Sequence, residues 1–61
     1  EQKEVQTEYG LVTVKIAYQP NGQMNISPEY EDCKRIAQEK NIPLKLVYEA
    51  AVCGVHDVND A

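Results

Sequence analysis

Apolar positions recur with period two between Glu4 and Ser27, and from Ser27 onward they recur at helical spacing. Val12, Val14, Ile16 and Tyr18 fall on one side of an extended segment, with Leu11, Thr13, Lys15 and Ala17 on the other. The dense β-branching suits a strand. Thr7-Glu8-Tyr9-Gly10 has the make-up of a tight turn, joining this segment to a short strand over Glu4 to Thr7. Pro20-Asn21-Gly22 is a second turn, because Asn and Gly tolerate the positive φ that hairpin turns demand. A third strand follows, with Met24 and Ile26 on its apolar side. The pattern predicts a three-stranded antiparallel meander over about residues 4–27.

At Ser27 the period changes. Ser27 is the predicted helix cap and Pro28 the first helical residue, where a missing N–H is no loss. Tyr30, Cys33, Ile36 and Ala37 then make one apolar stripe, and Asn41-Ile42-Pro43 ends the helix, giving it a span of about residues 28–40. A second helix is predicted over about residues 43–55, with Leu44, Val47, Tyr48, Ala51 and Val55 on its apolar face. Gly54 falls near its end, and His56 to Ala61 reads as a polar tail. The fold class is α+β, in the order β-β-β-α-α, with no internal repeat and no low-complexity segment.

A chain of 61 residues allows one domain, so residues 1–61 are a single module. Such a chain buries about 60% of its unfolded surface, and a core that small rarely supplies more than about 3–5 kcal/mol. With no Phe and no Trp, aliphatics and tyrosines are expected to fill it. The chain begins at Glu1 rather than Met. Size and start together suggest a subdomain excised from a longer protein, one that forms a homo-oligomer or leans on its parent's remaining domains. Ten acidic residues against six basic ones give a net charge of −4, which argues against a nucleic acid partner. A nucleotide is still compatible, since its phosphates can arrive neutralised by a divalent cation. No apolar run approaches the ~20 residues that span a bilayer, so no membrane partner is expected. Cys33 and Cys53 lie outside any CxxC pair and are too few for a secreted scaffold, so both are expected as buried free thiols of a cytoplasmic protein.

Three places could carry chemistry. Glu29, Glu31 and Asp32 load the start of the first helix, where the dipole favours acids, and Glu31 stands four residues before Arg35, a supportive pair. Ordinary helix construction accounts for these charges. The functional alternative makes Glu31 and Asp32 oxygen ligands for magnesium or manganese, with Lys34 and Arg35 facing phosphates. Lys15, midway along the longest strand, is a solvent-facing lysine or, if its face meets another domain, a phosphate contact. Cys53 and His56, with Asp57 beside them, have the spacing of two ligands on one helix face for nickel or zinc. Gly54 lies between them and the chain has no second ligand pair, so a histidine near a helix carboxyl end is the plainer account. The chain contains no Ser-His-Asp set, Gly-rich phosphate loop or H-E-x-x-H motif.

The order of the segments is more specific than any one of them. A turn with Thr7, Tyr9 and Gly10 leads to a strand with Val12, Val14 and Lys15; Ser27-Pro28-Glu29-Tyr30-Glu31-Asp32-Cys33 follows, then Pro43-Leu44-Lys45 with Val47, Tyr48, Ala50 and Ala51. From about Val5 to Val52 this resembles the carboxyl-terminal region of the LarC family, the nickel insertion proteins of nickel-pincer nucleotide cofactor biosynthesis. The resemblance implies a cytoplasmic, oligomeric, CTP-dependent cyclometallase of the lyase class as parent. That enzyme inserts nickel, its substrate, into a pyridinium bisthiocarboxylic acid mononucleotide, and uses CTP with Mn2+ or Mg2+. It further implies a CTP- and metal-binding, oligomerising role for this region, with Lys15, Ser27, Lys34 and Arg35 toward the nucleotide and Glu31 or Asp32 toward the metal. Tyr30 and Cys33 are assigned to the core. The isolated piece is not expected to be catalytic. The alternative is a purely structural assembly module with no small-molecule site. Glu8 departs from the proline common in the family's turn, and the Val52 to Ala61 tail has no evident family counterpart.

Overall fold

The computed structural model describes residues 1–60, and side chains as far as His56. Three strands, β1 (Gln2–Thr7), β2 (Gly10–Tyr18) and β3 (Met24–Pro28), precede two helices, α1 (Tyr30–Lys40) and α2 (Leu44–Asp60). The sheet is antiparallel in the order β1-β2-β3, with Val5 opposite Val12 and Ile16 opposite Ile26. It is the predicted α+β meander followed by two helices. Both turns form as their chemistry requires. Thr7 Oγ1 accepts from Tyr9 N–H at 3.0 Å and donates to the Gly10 carbonyl at 2.7 Å, while Gly22 takes a φ of 89° in the second turn.

Alternation along the strands puts one face of the sheet against both helices. Val5, Val12, Val14 and Ile16 meet Cys33, Ile36 and Ala37 of α1 and Val47, Ala51 and Val55 of α2. Tyrosine does not help to fill this core. Tyr18, Tyr30 and Tyr48 are 61%, 59% and 42% exposed, and only Tyr9 packs partly against the cluster. Tyr18 and Tyr30 stand at the ends of their elements, where the opposing layer gives little cover, and Tyr48 is turned outward beside the fully buried Val47.

The first helix starts later than the sequence suggests. Ser27 is not its cap; it lies in β3 opposite Lys15, and Pro28 lies opposite Val14 as the last strand residue. Glu29 N–H donates to the Thr13 carbonyl at 2.8 Å, so ladder alternation turns the Pro28 nitrogen away from β2, where the absent N–H forfeits nothing. Glu29 is the N-cap residue, with no side-chain cap bond. At the other end Asn41 takes the left-handed conformation, φ 56° and ψ 50°, and closes the helix.

The second helix runs on through the predicted polar tail to Asp60, with Ala61 outside the described residues. Gly54 is therefore interior to the helix rather than near its end. A Cβ there would fall inside the van der Waals envelope of Val5 Cγ1. Glycine costs helix stability, and here it lets α2 rest directly on β1. No described helix is long and apolar enough to cross a membrane.

This contact makes a prediction opposite to helix propensity. Gly54→Ala should lower stability by about 1–3 kcal/mol through overpacking, where an open helical site would gain up to about 1 kcal/mol. Urea denaturation should also show that the loss shrinks in a Val5→Ala background, which makes room for the new methyl group.

Candidate functional site

The sheet face away from the helices is open. Lys15 and Ser27 sit opposite each other across β2 and β3, and with Gln2, Asn25 and Ala17 they line a shallow groove along that face. Lys15 Nζ lies 3.3 Å from Glu29 Oε1, with the lysine side chain 65% exposed. An exposed ion pair of this kind contributes little to stability, but it determines which group the ammonium faces.

Just beyond, the chain leaves the sheet for α1, and one residue holds the crossing. Thr13 would exchange two backbone bonds with Glu29 if the ladder continued. It receives Glu29 N–H, but the Glu29 carbonyl has turned into α1, where it accepts from Cys33 N–H at 3.2 Å. The Thr13 N–H donates instead to Asp32 Oδ2 at 2.9 Å. Asp32 thus supplies from a side chain the acceptor that the strand no longer provides. The backbone bond from Thr13 is the main cause holding the Asp32 carboxyl below its ordinary 3.8, against partial desolvation and with help from Arg35. Asp32 Oδ1 is 3.5 Å from Arg35, and Arg35 also reaches Glu39 at 3.9 Å.

The residues singled out from sequence therefore separate into groups. Lys15 and Ser27 come together on the open face, joined by Glu29, which sequence reasoning did not place there. Asp32 and Arg35 form a second pair at the start of α1. Arg35 pairs with Asp32 and Glu39 rather than with Glu31. Glu31 and Lys34 are exposed on α1. The signal for Glu29 lay in strand register: once Ser27 is opposite Lys15, the residue two further on reaches the same lysine.

Cys33 is fully buried, and burial first, then the nearby Asp32 charge, pushes its thiol pKa up. Cys53 is not buried as expected. It is exposed, and lines a groove between the β1–β2 turn and α2 with Tyr9, Leu46 and Glu49. His56 is exposed and the Asp57 side chain lies outside the described residues. Among the described residues no three His, Cys, Asp or Glu side chains come together as metal ligands.

Comparison with known proteins gives consistent results. Residues 1–48 match the family model described as nickel insertion protein. A pyridinium-3,5-bisthiocarboxylic acid mononucleotide nickel insertion protein of Thermotoga sp. (strain RQ2) is 59% identical over 58 residues, covering 95% of this chain and 14% of that protein. That match leaves too few residues unpaired to stop before the tail, so most of the tail has a counterpart in a relative although the family model ends at residue 48. A protein of the same name from Clostridium acetobutylicum is 50% identical over 46 residues, covering 75% of this chain and 11% of its own length. Among solved structures, LarC2 superposes with a TM-score of 0.80 at 40% identity, over 92% of this chain and 38% of that one. It is the C-terminal domain, in apo form, of a cyclometallase involved in the synthesis of the NPN cofactor of lactate racemase. The chain thus spans about one ninth to one seventh of the length of the curated relatives it matches.

Two outcomes follow from the geometry. Asp32→Ala strands the Thr13 N–H and should cost about 1–3 kcal/mol in urea denaturation at neutral pH. The Asp32 pKa is lower folded than unfolded, so its contribution is fully present above the ordinary value of 3.8 and is lost as pH falls through the folded value. Asp32→Asn should flatten the acid limb of the stability profile accordingly. With a thiol reagent under native conditions, Cys53 should be labelled promptly and Cys33 only on unfolding; equal labelling of both would contradict the packing of α1.

Proposed function

The chain belongs to the nickel insertion protein family, and from that premise we propose that it is the CTP- and divalent-metal-binding part of a nickel-inserting cyclometallase. Residues 1–61 would then form a C-terminal subdomain of a longer, oligomeric, cytoplasmic lyase that makes the nickel-pincer nucleotide cofactor, with nickel as the parent's substrate. In this reading Lys15, Ser27, Lys34 and Arg35 contact the nucleotide, and Glu31 or Asp32 meets Mn2+ or Mg2+.

One observation carries the reading. Two cation–carboxylate pairs, Lys15 with Glu29 and Arg35 with Asp32, flank the crossing from β3 to α1. A bare triphosphate would meet these carboxylates as like charges, whereas a metal-loaded one brings a cation for them. The donor set suits such an ion. Magnesium and manganese are commonly held by one or two carboxylates, with phosphate oxygens and water completing the shell. Both Asp32 oxygens are already engaged, so the exposed Glu31 is the more available of the two predicted ligands.

A structural reading keeps one observation of its own. The outer sheet face carries Leu11 at 50% exposure on the same side of β2 as Lys15 and Ala17, which suits a surface that packs against another domain or subunit. A purely assembling module would use that face and bind nothing small.

Titration of the folded chain with CTP separates the two. With Mg2+ present, amide shifts at Lys15 and from Ser27 to Arg35 are expected, weaker without metal and weaker with ATP. No shift at millimolar CTP and metal, together with self-association independent of nucleotide, would favour the assembly module.

A further inference from the structure

Lys15 is the cation of the open sheet face, and it is not waiting empty. The Glu29 carboxylate occupies it at 3.3 Å, as an internal stand-in for an anionic ligand. Glu29 is also the carboxylate best able to leave. It is the N-cap residue, yet its side chain caps no helix N–H, while its backbone N–H is retained by Thr13. Releasing the carboxylate from Lys15 therefore breaks no other bond in the fold. Asp32 is the contrast, fixed by the Thr13 N–H on one oxygen and by Arg35 on the other.

We propose that Glu29 is a specificity-determining residue that makes this surface prefer a metal-loaded polyphosphate over a bare one; the proposal rests on the nucleotide reading above. A bare polyphosphate reaching Lys15 displaces Glu29 and strands its charge beside the incoming anion. A polyphosphate carrying a divalent cation displaces it too, but the cation then faces the released carboxylate, an oxygen donor of the kind it prefers. The same side chain thus opposes one ligand and supports the other. Ser27 and Asn25, lining the same groove, offer neutral polar groups that do not discriminate between them, and the Glu1 carboxylate that also lines it is paired with Lys3 at 3.6 Å rather than with Lys15.

Glu29→Gln tests this, because the backbone bond to Thr13 survives and a spectrum of the free variant reports its fold. The probe is inorganic triphosphate, followed by amide shifts at Lys15 and Ser27, with Mg2+ or with a chelator. In the variant, affinity for the bare anion should rise by up to about fivefold, the range open to an exposed ion pair. Affinity for the magnesium complex should fall, so the ratio of the two drops. Glu49→Gln removes the same charge at a distance and should keep the wild-type ratio. A Glu29→Gln ratio equal to wild type, or parallel losses in both affinities, overturns the role of Glu29 alone. Wild-type protein that binds neither form overturns the nucleotide reading and this proposal together.

Discussion

Where β3 ends at Pro28, the ladder to β2 still has one donor to satisfy, the Thr13 N–H, and the chain has already turned toward α1. The Asp32 carboxylate, 2.9 Å away, accepts that donor. An amide left without a partner there would cost much of what so small a core provides. The bond does more than satisfy a donor. It ties the first turn of α1 to the central strand, and so sets which face of the helix meets the sheet. The buried stripe of α1, Cys33, Ile36 and Ala37, begins one residue after this anchor.

The same anchor shapes the candidate site. With Asp32 held from two sides, Arg35 is drawn toward the sheet end of α1, and Glu29 is left to Lys15. A carboxylate engaged through both oxygens and one held by a single ion pair therefore stand close in sequence and differ in what they can do. Sequence alone presents Glu29, Glu31 and Asp32 as interchangeable acids at a helix start. Their roles separate only when the register of β2 against β3 is known.

That difference marks how much of the molecule could be read from its residues. The meander was legible because β-branched alternation and an Asn-Gly turn are local signals, and the helices because their stripes are. The start of α1 was not, since Ser27-Pro28 looks the same whether Pro28 closes a strand or opens a helix. The choice is made by Val14 and Thr13, far away in the chain. Tyrosine burial was overestimated for a related reason: composition reveals what is available to a core, but not how closely two layers approach. Cys53 was expected inside because two unpaired cysteines suggested buried free thiols; cysteine count and spacing carry no information about which face of α2 the residue occupies, and that face is exposed. At the site, the motif was legible from Ser27 to Cys33, while the pairing of Lys15 with Glu29 was not.

The close approach of Gly54 to Val5 joins the first strand to the last helix. Hairpin contacts between β1 and β2 are local and can form early, but Val5 lacks its lid until α2 arrives. The contacts that complete the core are thus among the most distant in the chain, and closing so long a loop must precede their reward. On a ribosome this order becomes a timetable. A nascent chain can hold its strands and α1 while the β1 side of the apolar sheet face stays open, and that side closes only after α2 has emerged and docked.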